Sequence, residues 1–272
     1  MDEQIEQLLK TYRSLELSKI IDFDKFNHFA IVHHSSNIEG STLTEIETQL
    51  LLDEGLTPKG KPLQHSLMEV DHYQALLYVL EFAKEQAELK TEHIQHINAL
   101  TQKNTGQIVH TALGTVDGTK GEFRKSQVSA GGNYFVNFQK IAPLMQKLID
   151  KINDSISVAE DKPDIFKLEL AFTAHFDLVS IHPFMDGNGR TSRLLMNLLQ
   201  AKYDLPLSIV YKEDKADYYN ALQETRHKKD INIFFDFMKS QYVKQLSMEI
   251  EKAKQLDNEL NQNREKNYSF IF

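Results

Sequence analysis

Two apolar runs flank the string HPFMDGNGRTSR at residues 182–193, and no other stretch narrows the folds open to this chain as much. Before it, Phe166, Leu170, Ala174, Phe176 and Leu178 suit a buried helix, which Pro183 stops from continuing normally. After it, residues 191–203 are again apolar and helix-favouring. The second helix therefore starts at the glycines, and Gly187, Asn188, Gly189 and Arg190 sit at its N-terminus. There the first N–H groups have no intrahelical acceptor and the macrodipole is positive, so the turn suits an anion, most naturally phosphate. Glycine tolerates positive φ and lets phosphate oxygens come close to the backbone. Arg190 and Arg193 are three apart and share a helix face, and two guanidinium forks at an anion cradle suggest a polyphosphate. His182 is a residue that can accept a proton near neutral pH, and Asp186 is a hard-oxygen ligand suited to Mg²⁺.

With all of these residues in place, the string resembles the signature of the Fic family, HPFxDGNGRxxR, and matches it at every specified position. The resemblance implies a mainly α, Fic-type helical bundle with a short β-hairpin flap beside the active site. It also implies that His182 deprotonates a target hydroxyl and that Asp186 binds Mg²⁺. Gly187, Asn188 and Gly189 would form the anion-binding turn, and Arg190 and Arg193 would hold the β- and γ-phosphates of ATP. The implied activity is transfer of AMP from ATP to a Ser, Thr or Tyr hydroxyl of a target protein, with release of pyrophosphate and with the chain itself as a further candidate acceptor. Such chemistry needs chiefly positioning and charge stabilisation, which a turn of this kind can supply.

A second informative stretch lies upstream. Phe26, Phe29, Ala30 and His33 form a helical stripe that Gly40 is suited to stop. Ser35 and Glu39, four apart, fall on one face, and a carboxylate at a helix C-terminus is disfavoured unless solvent or a cation relieves it. By the same resemblance, Ser35, Glu39 and Gly40 match the inhibitory motif [ST]xxxE[GN]. Glu39 would then pair with Arg193 and obstruct the ATP γ-phosphate, a brake within one chain. Family members offer alternatives: the glutamate can assist AMP removal by acting on water, or another nucleotide donor can be used. A nucleotide-binding regulator without turnover is a third reading, against which the intact His182 counts.

Between Val109 and Asn137 the glycines at 118, 121, 131 and 132, with β-favouring residues between them, predict a loop or hairpin. An ordinary surface hairpin satisfies that pattern. The resemblance adds a flap, with Gly121, Phe123 and Arg124 in a GxFR pattern, whose edge would register a target segment by strand addition.

The remainder reads as helices. Ile5, Leu8, Leu9, Tyr12 and Leu15 make an amphipathic start; Thr42 and Glu45 fit a capping box; Leu63–Glu88 carries helical periodicity; Thr91 is suited to cap the next helix; residues 138–154 resume a helix before a loop at 153–164. In residues 215–230, Tyr218 and Tyr219 suit either a nucleotide contact or the core, and the run RHKKD suits a solvated helix end. Leu246, Ile250, Ala253, Leu256 and Leu260 form a stripe able to pack on the core or against a second copy in a homodimer. The expected organisation is 1–55 as an N-terminal helical region, 56–230 as the catalytic core and 231–272 as an extension. The chain has no cysteine, which excludes thiolate zinc sites and disulfides, and the His33/His34, His93/His96 and His175/His182 pairs match no zinc signature. A net charge of -8 and a pI near 5.8 disfavour extended nucleic-acid contact. No basic leader and no long apolar span are apparent, so the expectation is a cytoplasmic protein without membrane insertion.

Overall fold

The computed structural model describes residues 1–15, 23–85, 87–130 and 133–269. In chain order the helices are α1 (Asp2–Ser14), α2 (Phe23–Ile38), α3 (Glu45–Glu54), α4 (Leu63–Lys84) and α5 (Thr91–Thr101). Two short antiparallel hairpins follow, β1 (Ile108–Thr111) with β2 (Gly114–Asp117) and β3 (Ser129–Ala130) with β4 (Asn133–Tyr134). The chain then returns to helix in α6 (Ile141–Ala159), α7 (Asp164–Ile181), α8 (Asn188–Lys202), α9 (Lys215–Lys228) and α10 (Asn232–Ser269). The mainly α expectation therefore holds.

The bundle is built around α8, where every residue from Arg190 to Gln200 is buried. Its neighbours are α7, α4 and α5, with α2 touching it near the signature turn. A helix enclosed on all sides must satisfy its polar side chains internally. Asn197 Nδ2 donates to the Ser208 carbonyl at 3.1 Å, and Gln200 Oε1 accepts from Ser208 N at 2.8 Å. The extended segment after α8 is buried too, and α10 serves it as a strand partner would. Gln245 Oε1 accepts from Ile209 N at 2.9 Å, Gln245 Nε2 donates to the Leu207 carbonyl at 2.6 Å, and Gln241 Oε1 accepts from Tyr211 N at 3.1 Å.

Helix α2 docks through Ile31, Val32 and Ile38, all buried. Its far side rests on the Lys212–Asp214 turn, where Lys212 N donates to His34 Nδ1 at 3.3 Å and Lys212 Nζ lies 3.0 Å from His33 Nε2. Burial, helped by the Lys212 charge, lowers His33 to about 3 and His34 to about 4, so both rings dock neutral. Just past the helix, Ser41 Oγ donates to Glu69 Oε1 of α4 at 2.8 Å. Burial pushes the Glu69 carboxyl up to about 8 despite its hydrogen bonds, so it too is neutral at pH 7.

Several boundaries differ from expectation. Thr91 is the first residue of α5 rather than its cap, a position held by Lys90. The capping box forms at Thr44 and Glu47 rather than at Thr42 and Glu45, because the Thr42 hydroxyl lies 3.0 Å from His65 Nδ1. Helix α4 ends at Lys84 instead of Glu88. Helix α6 continues to Ala159, since Ile152 and Ala159 still bury against the core, which shortens the expected loop to four residues, 160–163. In α10, Leu246, Ile250 and Ala253 are buried, while the Leu260 side chain lies outside the described residues. Among the described residues, no helix is long and apolar enough to cross a membrane, and no group of three or more His, Asp and Glu is arranged to hold a metal ion.

Candidate active site

Helix α7 ends at His182, which takes a left-handed conformation (φ 53°, ψ 60°) while its N–H still bonds to the Leu178 carbonyl at 3.0 Å. Such a φ is unusual outside glycine and holds the imidazole at the mouth of the turn. Gly187 caps α8 at φ 78°, a value that fits the absence of a Cβ. Between them the turn is braced by Asn188, whose Oδ1 accepts from Phe184 N at 3.0 Å and whose Nδ2 donates to the Phe184 carbonyl at 2.9 Å. Asn188 thus shapes the cradle through its side chain and contributes to it through its backbone.

A cleft of about 510 Å³ opens over this turn, lined by His182, Asp186, Asn188, Gly189 and Arg193 on one side and by Glu39, Phe135 and α9 on the others. That is roughly the size of a small-ligand site. Burial lowers His182 to about 4; Arg124 and Arg226 push the same way, while the Val179 carbonyl and Glu39 oppose them. At pH 7 the ring is therefore neutral and able to take a proton. Asp186 is exposed at the cleft edge.

Arg193 is 4% exposed and points into the cleft wall, where its Nε donates to Ser35 Oγ at 2.8 Å and its Nη2 donates to the Ser35 carbonyl at 3.1 Å and to Glu39 Oε1 at 2.6 Å. Burial alone would raise the Glu39 carboxyl; the charge and hydrogen bond of Arg193 hold it below the ordinary carboxylate value. The Glu39 carboxylate lies directly over Gly189, where an added Cβ would collide with its Oε1. Gly40 follows at φ 106° and turns the chain away. Ser35, Glu39, Gly40, Gly189 and Arg193 are thus brought together, with Ser35 as the anchor of Arg193.

Arg190 goes elsewhere. It is 2% exposed, and its Nη1 donates to the Thr101 carbonyl of α5 at 2.9 Å. With its side-chain amide oxygen turned toward donors, Gln102 accepts from Arg190 Nη2 at 2.8 Å and from Gly187 N at 3.0 Å. Asn98 Nδ2 completes this bracket behind the turn, 3.1 Å from both the Asp186 carbonyl and Thr191 Oγ1. Arg190 and Arg193 are therefore not brought together at the cleft in this structure. The Arg190 guanidinium ties the turn to α5, and the Gly187 N–H is likewise engaged from behind.

The flap motif also faces inward. A Cβ at Gly121 (φ 64°) would overlap the Gln95 carbonyl of α5. Phe123 packs against Phe184 with ring centroids 5.6 Å apart. Arg124, 2% exposed, donates to three carbonyls, those of His182 at 2.8 Å, Ser126 at 2.8 Å and Val136 at 2.6 Å. Phe123 and Arg124 fasten this segment to the signature turn, and Gly121 packs it on α5. Tyr134 points outward, 84% exposed; Gly131 and Gly132 lie outside the described residues.

Both tyrosines line the cleft: Tyr218 is buried, with its hydroxyl 2.8 Å from His175 Nε2, and Tyr219 is the more exposed of the two. Phe135 and Arg226 were not anticipated as site residues. Arg226, expected at a solvated helix end, lines the cleft with Tyr219, Leu222 and Gln223. Their spacing of i, i+3, i+4 and i+7 is the signal that marks one helix face.

Residues 88–200 match the model of the Fic/DOC family. The protein adenylyltransferase Fic of Drosophila willistoni is 34% identical over 212 residues, 78% of this chain and 39% of that protein, and its Drosophila melanogaster counterpart is 34% identical over 78% and 40%. The chain thus spans about 40% of the length of these curated relatives. Among solved structures, a Fic-domain-containing signaling protein from Bacteroides thetaiotaomicron is 25% identical and superimposes with a TM-score of 0.79 over 92% of this chain and 98% of its own. Fic-1 from C. elegans, at 22% identity, shares the fold with a TM-score of 0.74 over 93% and 73%. With the signature turn inside the matched segment and the same helical fold around it, this chain belongs to the Fic/DOC family.

Proposed function

We propose that this chain is a protein adenylyltransferase that moves AMP from ATP to a Ser, Thr or Tyr hydroxyl of a protein, and that Glu39 holds it off by occupying Arg193. The observation that carries this reading is the 2.6 Å contact of Arg193 Nη2 with Glu39 Oε1, made over Gly189 in the same cleft as a neutral His182. His182 takes the proton of the acceptor hydroxyl; that oxygen bonds to the α-phosphorus while the bond to the bridging oxygen breaks and pyrophosphate leaves. The helix N-terminus and Arg193 stabilise the charge on the departing phosphates. Asp186 suits Mg²⁺, which is commonly held by one or two carboxylates together with substrate phosphates, and which would offset phosphate charge when bound. Residues 1–55 then form the regulatory region, 56–230 the catalytic core and 231–272 an extension, in a protein we assign to the cytoplasm.

Removing Glu39 leaves Arg193 as a buried cation lacking its carboxylate, which favours an incoming phosphate. The test is label transfer from ATP carrying a radioactive α-phosphate, with Mg²⁺ and cell lysate as a source of acceptors. A charge-assisted bond of about 1.5–3 kcal/mol must open before phosphate enters, so Glu39→Gly is expected to raise transfer about ten- to a hundredfold over the parent chain. Adding His182→Ala should abolish it. A folded, ATP-binding Glu39→Gly protein that labels nothing would sink the proposal.

A further inference from the structure

The orientation of His182 has an unusual source. A catalytic imidazole is commonly aimed by a hydrogen bond from its second nitrogen to a fixed acceptor. Here, among the described residues, none gives the buried His182 Nδ1 a well-formed hydrogen bond; the Val179 carbonyl favours protonation without a well-aligned contact. What lies against the ring is Phe135. The two rings are stacked with centroids 3.8 Å apart and planes 11° from parallel, the closest centroid separation among the described ring pairs. Phe135 directly follows β4 and precedes Val136, whose carbonyl accepts from the same Arg124 that holds the His182 carbonyl. The stacked pair is therefore tied together through backbone as well as through ring contact.

Arg226 supports the arrangement from α9. Its guanidinium carbon lies 5.7 Å from the Phe135 centroid and 5.9 Å from that of Phe176, within cation–π range of both. Its Nε donates to Ser180 Oγ at 3.2 Å, and its Nη2 lies 3.5 Å from the Val179 carbonyl, so it is fastened to the last turn of α7 just before His182. A face-on stack covers the π surface of an imidazole and leaves its in-plane nitrogen lone pair open to the cleft. It fixes the ring plane without occupying the position from which a proton would arrive.

We propose that Phe135, backed by Arg226, is a positioning residue that holds the His182 imidazole in the plane needed to take a proton from the acceptor hydroxyl. This rests on the adenylyl-transfer reading above and adds to it a flap residue that acts through the base rather than on the target. An aromatic cover also restricts water at the ring, and the charged groups facing His182 are Arg124 from the flap, Arg226 from α9 and Glu39 from the end of α2. The alternative role for a flap aromatic in this place is a gate that keeps acceptors out, and it predicts the opposite response to truncation.

The experiment uses the full chain with Glu39→Gly as the active parent, and compares it with added Phe135→Ala and Phe135→Tyr. Self-labelling and labelling of lysate proteins are followed at varied ATP with a radioactive α-phosphate. Phe135→Ala is expected to lower kcat about ten- to a hundredfold, the cost of a misplaced catalytic group, with KM for ATP unchanged; Phe135→Tyr, which keeps the ring, restores kcat. In the same proteins, NMR of isotope-labelled histidine should show His182 titrating well below 6.5 in the parent and in Phe135→Tyr. In Phe135→Ala it should move up toward 6.5, carrying the acid limb of the pH profile of kcat/KM with it. Unchanged or increased kcat in Phe135→Ala, or an unmoved His182 titration, overturns the proposal. An unlabelled Glu39→Gly parent instead overturns adenylyl transfer itself, and the NMR titrations still decide whether Phe135 governs the ring.

Discussion

Arg190 and Arg193 leave the same helix one turn apart and end in different regions. Behind the signature turn, Arg190 is enclosed by α5 and bonded to the neutral oxygens of Thr101 and Gln102. At its mouth, Arg193 faces the cleft and bonds to a carboxylate whose side chain remains 27% exposed. A buried cation satisfied by fixed neutral acceptors has nothing to exchange and serves as a tie. A buried cation satisfied by a partly solvated carboxylate at the end of a helix can trade that partner for another anion. Position on the helix is nearly the same; what surrounds each guanidinium divides a fixed tie from an exchangeable contact.

The largest effect should separate the two in activity. With Glu39→Gly as parent, adding Arg193→Ala is expected to reduce AMP transfer about 10²–10³-fold, the usual cost of removing a transition-state donor, with little change in the urea midpoint. Steady-state label transfer beside an unfolding curve checks it, and retained activity would leave Arg193 without its assigned role. Next comes stability. Arg190→Ala leaves the Thr101 carbonyl unpaired in the interior and removes one of the two donors to the Gln102 amide oxygen, and should cost about 2–3 kcal/mol by urea denaturation. If Arg193→Ala destabilised the fold as much as Arg190→Ala, the contrast between tie and switch would collapse. The smallest effect concerns Ser35, whose hydroxyl accepts from Arg193 Nε. Ser35→Ala removes one hydrogen bond of about 1 kcal/mol, so it should raise label transfer only severalfold, well short of Glu39→Gly. Equal activation by the two variants would mean that Arg193 is restrained mainly by α2 as a whole.

What could be read in advance followed the reach of the signal. His182, Asp186 and the glycine turn lie within a few residues of one another, and helix termini impose their own chemistry on such a string. Ser35 and Glu39 were legible for the same reason, being one helical turn apart. Helical spacing correctly put Arg190 and Arg193 on one side of α8, but it does not say where two long side chains go. Asn98, Thr101 and Gln102 arrive from α5, and their bracket depends on packing between helices nearly ninety residues apart in sequence. Phe135 carries no local signal for a similar reason, as an aromatic among glycines and polar residues whose partner is brought near by the flap. Arg226 opens a run of charged residues that suits a solvated helix end, although its spacing from Tyr219 marks the inward face of α9. Thr42 lost the capping role to Thr44 because a contact with His65, more than twenty residues away, outweighed a local pattern.

The sequence alone determined a helical chain whose second core helix begins at a glycine turn suited to an anion, with a histidine and an aspartate at its edge and a carboxylate motif upstream. Those properties follow from backbone geometry and side-chain chemistry over a few residues. Tertiary structure decided which guanidinium faces the cleft, that Tyr218 and Tyr219 both line it, that the Arg124 side chain anchors the flap to the His182 carbonyl, and that Phe135 stacks on the ring. Each of these choices depends on which distant surface closes over a side chain, and burial takes that form only when the helices pack.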